Sequence, residues 1–320
     1  MTIQATIDAY GRYARASNLA DHLELVALSG QRINRNELAD LVSDRSWIAK
    51  MDELFEGGTL EQRGDFEEPS EEDGAAVAEG PGIAQANRVF DVLDERLDLL
   101  GDHWPFEVID DALTLKSGAE PRSSPYVALL AITLAHAHKM EIDVDPKQVL
   151  EAAVAETLGS RGLKAVDVGA VSREEGDFRA TVMRCGVAVG LQPTPHDAVT
   201  LAHANEEGVD SLAHLPWGDG RPGAWTFLGQ ATCGKSDRWN AKIAEPKPAA
   251  WKQMLSVGIL PLPFLAVPHH VEMSHMAKLV QDNGSLVLDR IRLSRYRESV
   301  SSDEARIIDA VLSVGVEQMA

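Results

Sequence analysis

The sequence predicts a mixed α/β protein in which a mainly helical region, residues 1–144, precedes a mixed-sheet domain, residues 145–320. Apolar residues recur at helical spacing in the first region, whereas strand-like runs separated by turn formers gather after Gly208. A chain of 320 residues with 44% hydrophobic side chains is also long enough for about two cores.

Taken in order, Ile7, Tyr10, Tyr13 and Ala14 share a helical face, as do Leu38, Leu41 and Ile48, so residues 2–56 read as helices. Residues 57–83 combine Gly, Pro, Glu and Asp with few large apolar groups. Such a segment cannot offset its own ordering entropy, and a mobile acidic loop is expected. Ala84 to Leu100 returns to the helical period. Phe106 to Lys116 sets apolar runs on either side of Asp110-Asp111, the pattern of a hairpin. Ser124 to His138 is a largely apolar helix. Its core, Tyr126 to Ala135, is about half the ~20 residues of a membrane span.

Asp145-Pro146 opens the next helix with an acid at its start and Pro in the first turn, and Gly159 or Gly162 ends it. An extended piece, Leu163 to Val168, and a helix from Asp177 to Val189 follow. Gly208 to Trp217 and Ala224 to Gln230 are strand-like and flank Gly218-Asp219-Gly220-Arg221-Pro222-Gly223, which makes them a β-hairpin. A short helix from Pro248 to Leu255, buried strands at Leu262–Val267 and Ser285–Leu288, and a last helix over 302–318 complete the chain.

The formal net charge of −20 argues against a chain that coats nucleic acid non-specifically. It is unevenly spread. Residues 52–79 hold eleven acids against one base, Arg63, whereas Arg221 to Lys252 holds six bases and two acids. Arg290, Arg292, Arg295 and Arg297 follow with no acid between them. Arg221, Arg238, Arg290, Arg292 and Arg295 are therefore the candidates for phosphate contacts, against the plainer reading of a solvated helix face. Met1 to Tyr10 lacks a basic region followed by an apolar stretch, and Cys185 and Cys233 have no zinc or disulfide spacing. A reduced, cytoplasmic protein is expected.

The chemistry concentrates at the second hairpin. Asp210 begins one strand and Gln230 ends the other, with Lys235 and Lys242 just beyond. A divalent cation, Mg²⁺ or Mn²⁺, prefers hard oxygen ligands, which Asp210, Gln230 and the Ala231 carbonyl can supply. Glu151, on the preceding helix, can complete the shell. A nearby lysine can stabilise charge developing on a scissile phosphate. The plainer alternative is a strand-entry acid and an exposed glutamine.

This arrangement resembles the PD-(D/E)xK, or restriction-endonuclease-like, nuclease superfamily over roughly residues 146–290. The stretches Gly208-Val209-Asp210, Asp219-Gly220-Arg221-Pro222-Gly223 and Leu228-Gly229-Gln230, with Trp239, look like uncharacterised members associated with bacterial defence loci. The resemblance implies a core of helix, acid-bearing hairpin, helix and strand, with Asp210 as the metal-binding acid and Gln230 at the Glu/Gln position. It also implies hydrolysis of DNA phosphodiesters and a partner protein in antiviral defence. The superfamily's lysine stands two residues after the Glu or Gln. Here that position is Thr232, so Lys235 or Lys242 is expected to serve from a shifted place. The same departure suits a non-catalytic interaction subunit that keeps the fold.

Other motifs overlap or lie nearby. Gly229 to Ser236 fits G-x-x-x-x-G-K-[ST], the phosphate-cradling P-loop, with Ser285 to Asp289 as its acid-ended strand. Pro246 cuts short the helix such a loop needs. His269, His270 and His275 lie within seven residues without an acid or cysteine at metal-ligand spacing. Cys233 beside Lys235 is a candidate thiolate. His136 and His138, two apart on a helix, point to different faces.

Overall fold

The computed structural model describes residues 3–43, 81–194, 208–219, 221 and 223–314. The acidic loop expected at 57–83 lies outside these up to residue 80, and residues 81–83 begin a helix. The chain divides into two compact units, residues 1–141 with 308–320, and residues 142–307. The fold class is α/β, with a helical N-terminal region and a five-stranded mixed sheet.

The first unit contains α1 (Ile3–Leu28), α2 (Arg35–Ser43), α3 (Pro81–Leu100), the hairpin β1 (Phe106–Ile109) and β2 (Ala112–Leu115), and α4 (Pro125–Ala137). Asp110 and Asp111 form the hairpin turn, both at positive φ, 51° and 59°. Aspartate tolerates that region because its short side chain can bond locally. Asn34 and Glu37 cap α2 reciprocally: the Asn34 side chain accepts from Glu37 N–H, and the Glu37 carboxylate accepts from Asn34 N–H. Leu19, Leu23, Phe90, Trp104, Phe106 and Tyr126 are buried in the core. Trp104, Phe106 and Tyr126 meet edge to face.

In the second unit α5 (Pro146–Ser160) begins at Pro146 and is capped by Asp145, whose carboxylate accepts from Lys147 N–H. There follow β3 (Lys164–Asp167), α6 (Val168–Glu175), α7 (Phe178–Ala188), β4 (Ser211–His214), β5 (Thr226–Ala231), α8 (Trp239–Ile243), α9 (Pro248–Met254), β6 (Leu262–Ala266), α10 (Met273–Asn283), β7 (Leu286–Leu288), α11 (Arg290–Arg295) and the start of α12 (Ser302–Val314), whose residues from Ile308 onward belong to the first unit. The sheet runs β3-β4-β5-β6-β7; the first three strands are antiparallel neighbours, and β5, β6 and β7 are parallel. Residues 195–207 of this unit lie outside the described set.

Two apolar clusters pack on the sheet. Leu212 and Leu228, paired across β4 and β5, meet Val171 of α6, Val182 and Cys185 of α7 and Trp251 of α9. Leu265 and Val287, paired across β6 and β7, meet Trp239 of α8 and Leu279 of α10. Helix α5 packs along β3, β4 and β5. Gly229 admits β6 closely: a Cβ there would stand 1.9 Å from the Phe264 ring, so any larger residue would push the strand pair apart.

Several sequence expectations change here. The predicted boundary after residue 144 falls at 141, and residues 308–320 belong with the first unit. The Gly229–Ser236 segment is only partly a loop, irregular from Thr232 to Lys235. Gly229, Gln230 and Ala231 are strand residues paired with Phe264, Leu265 and Ala266, and the helix that follows has five residues. That leaves no free backbone cradle capped by a long helix, which a P-loop requires.

Candidate functional site

The ladder places the acids. Asp167 ends β3 and pairs with Ser211, and Ser211 pairs with Gly229. Asp210 therefore sits beside Gln230, at the end of the sheet where β5 and β6 finish. The Asp210 N–H donates to the Gly229 carbonyl (2.7 Å), and its own carbonyl accepts from Val168 N–H (2.9 Å). Its side chain then continues the ladder: Oδ2 accepts from Ala231 N–H at 2.9 Å. That bond fixes the carboxylate against the third strand. Gln230 is buried, on the same strand as Leu228 and two residues beyond it, so period-two alternation sets both on one face.

Helix α5 brings the second acid. Glu151, one turn past Lys147, is almost fully buried, and one ammonium joins it to Asp210. Lys147 Nζ lies 3.2 Å from Glu151 Oε1 and 3.5 Å from Asp210 Oδ1. The other Glu151 oxygen accepts from Arg173 of α6 at 3.2 Å, and Arg173 also lies 4.0 Å from Asp167. Asp167 caps α6 by accepting from Ala170 N–H at 2.7 Å. The site is thus three carboxylates and two cations. Gly169 makes the approach possible, since a Cβ there would stand 2.5 Å from Glu151 Oε2 and 3.1 Å from the Arg173 guanidinium.

The charges respond to this crowding. Burial, and then the Asp210 charge, push the Glu151 carboxyl above its usual range against the pull of Lys147 and Arg173. Burial likewise raises Asp167. For Lys147, burial works downward, but Asp210 and Glu151 outweigh it and hold the ammonium above its usual range. Among the described residues no group of three or more His, Cys, Asp or Glu side chains is arranged to hold a metal ion. The donor chemistry of the smaller set nonetheless suits a hard divalent cation. Oxygens of both Asp210 and Glu151 approach one point, the Lys147 ammonium.

The structure distributes the remaining candidates differently from the sequence reading. Lys242 pairs with Glu245 at 2.8 Å on α8. Lys235 precedes a 3₁₀ turn. The lysine on Asp210 is Lys147, which sequence reasoning missed. A signal was present: Lys147 and Glu151 are four apart, so they share a helix face. Nothing local marks Arg173. Arg290 is not a surface phosphate ligand. It is fully buried, and its Nε donates to the Pro268 carbonyl at 2.8 Å. Arg292 is exposed but gives one N–H to the Val287 carbonyl (2.7 Å), while Arg295, Arg221 and Arg238 are exposed. Cys233 is buried, and burial pushes its thiol up, against the expected reactive thiolate. His269 and His275 pack against the Trp239 ring, with centroids at 5.7 and 5.4 Å, and burial takes His275 down to about 4.

Among the described residues no helix is long and apolar enough to cross a membrane. Comparison of the chain with family models, curated proteins and solved structures finds no match.

Proposed function

We propose that the second unit is a nuclease domain of the restriction-endonuclease-like kind, hydrolysing DNA phosphodiesters around Asp210 and Glu151. The supporting observation is convergence. An acid at the base of the β4–β5 hairpin and an acid on α5, far apart in sequence, are drawn to one ammonium. Further support for the reading is the element order, in which α5 precedes the β4–β5 hairpin and helices and the parallel strand β6 follow it. Mg²⁺ or Mn²⁺ would be held by Asp210 and Glu151, with Gln230 beside them. When bound, such an ion polarises a phosphoryl oxygen and lowers the pKa of its water.

The chain's own residues supply the rest. Ala231 N–H orients Asp210. Lys147 brings the positive charge that the chain lacks at Thr232, just past β5. Arg221, Arg238, Arg292 and Arg295, all exposed, would meet the phosphates. Charge partition favours this unit for the contact, because residues 142–307 carry 18 bases and 21 acids, against 12 and 29 in the remainder. We place the protein in the cytoplasm, in bacterial antiviral defence, with a partner protein that masks the acidic 52–79 segment or presents the DNA.

The test is cleavage of plasmid DNA in Mg²⁺ and modest salt, by the full chain alone and with the products of neighbouring genes. Asp210→Ala is expected to lower the rate by about 100-fold or more, the order seen when one electrostatic stabiliser is lost. Cleavage that survives Asp210→Ala removes this residue from the mechanism. A second reading, a non-catalytic interaction subunit, draws on Thr232 and on the cation already paired with each acid. Absence of cleavage with every partner would favour it.

A further inference from the structure

The carboxylate cluster is held by cations of the chain itself, and its two cations are not equivalent. Arg173 of α6 bridges Glu151 of α5 and Asp167, which caps α6. Lys147 bridges Glu151 and Asp210, the two acids that the proposed reaction uses. The Lys147 side chain is 49% exposed, whereas Glu151 is 2% exposed. The ammonium can therefore swing outward into water on its flexible stem, while the carboxylate cannot follow. Should it leave, Glu151 keeps Arg173 and Asp210 keeps the Ala231 amide, so neither acid is stranded without a partner. Charge arithmetic points the same way. Three carboxylates with Lys147 and Arg173 leave one negative charge, and a divalent cation in place of Lys147 brings the cluster to neutrality.

We propose that Lys147 is an exchangeable internal cation: it closes the Glu151–Asp210 pair when no divalent cation is bound, and it is displaced toward the phosphate when one binds. The inference rests on the nuclease reading for the identity of the anion, but not for the exchange itself. An ammonium at 3.2 and 3.5 Å and a divalent ion on the same oxygens compete, because like charges at that spacing repel. It also accounts for Thr232. A lysine that enters from α5 can stabilise the apo site and then serve the substrate, on an element other than the one that carries Thr232.

The experiment is Mn²⁺ binding to the full chain, followed by the free-ion EPR signal at constant pH and ionic strength. Lys147→Met, which keeps the length and removes the charge, is expected to bind Mn²⁺ about tenfold or more tightly than the wild type, a gain of about 1.4 kcal/mol. Lys147→Gln should reproduce the gain if the Met variant folds poorly, and Lys242→Ala should leave affinity unchanged. Adding Asp210→Asn to Lys147→Met should abolish the gain. Affinity that is unchanged or weaker in both Lys147 variants overturns the proposal, as does a gain that survives Asp210→Asn. The plasmid assay reads separately: tighter Mn²⁺ binding without cleavage by any preparation would overturn the nuclease reading and leave the exchange standing.

Discussion

Arg96 in the first unit and Lys147 in the second each bridge two carboxylates. Arg96 lies 2.7 Å from Asp21 and 2.9 Å from Glu24, and all three side chains are at most 2% exposed. Glu24 also accepts from Trp104 Nε1 (2.9 Å) and the Tyr126 hydroxyl (2.7 Å), so its lone pairs are committed to core side chains. Lys147 and Arg173, by contrast, are 49% and 43% exposed. A buried cation cannot leave without stranding its partners, whereas a half-exposed one can. The exposure of the cation, rather than the number of acids, separates a structural ion network from a site able to exchange its charge. The second unit contains its own structural network: Arg297, fully buried, forks onto Glu304 at 2.6 Å and reaches Glu156 at 2.7 Å.

The sharpest way to break that contrast is to remove both cations in turn. Arg96→Met leaves Asp21 and Glu24 buried without compensation and is expected to cost about 3–5 kcal/mol in urea unfolding. Lys147→Met should cost less than about 1 kcal/mol, as half-exposed pairs do. Equal losses would mean that Lys147 is structural.

A buried carboxylate whose burial outweighs the nearby charges of Arg292 and Arg290 gives the next effect. Asp289 follows β7, accepts from Arg292 N–H at 3.0 Å and Val271 N–H at 3.3 Å, and burial still pushes it up to about 6. Between about pH 4 and 6 the folded chain keeps this proton while the unfolded chain has lost it. Stability from this group therefore falls as pH rises through that window, by about 2–3 kcal/mol at most. Asp289→Asn should flatten the slope in a pH series of denaturation curves. An unchanged slope would show that another group carries it.

The smallest stability effect is expected at Gly169. A Cβ there meets the far ends of the Glu151 and Arg173 side chains rather than backbone. Gly169→Ala should cost less than about 1 kcal/mol yet weaken Mn²⁺ binding by shifting the Glu151 carboxylate. A loss of about 1–3 kcal/mol, as in an overpacked core, would instead mark the cluster as rigid.

Much of this architecture was legible in the chain. Asp110-Asp111 between apolar runs, Asp145-Pro146 and the turn formers of Gly218–Gly223 are local signals, and local geometry follows from them. The arginine run was not read fully. Arg290 opens α11 and Arg297 lies just beyond its end, and both are buried, while Arg292 and Arg295 are exposed, so charge density alone misassigned Arg290. Lys147 was missed for a different reason. Its pairing with Glu151 is written in the i, i+4 spacing, but its contact with Asp210 joins residues 63 positions apart and exists only once α5 has docked on the hairpin. Thr232 gave the departure from the superfamily pattern without indicating where a replacement cation enters.

The β4–β5 hairpin keeps its acid at the base and its turn at the far end, where Trp217 and Trp225 flank the turn formers with ring centroids 6.3 Å apart. Register makes these two ends unequal before natural variation. Residues added or lost in the turn leave the pairing of Ser211 with Gly229 intact, so the loop can change length freely. One residue lost within β4 would carry Asp210 off the Ala231 amide and reverse the face of every side chain before it. The hairpin thus offers a tip open to insertion, for a tag or a new binding loop, on a stem whose length is fixed.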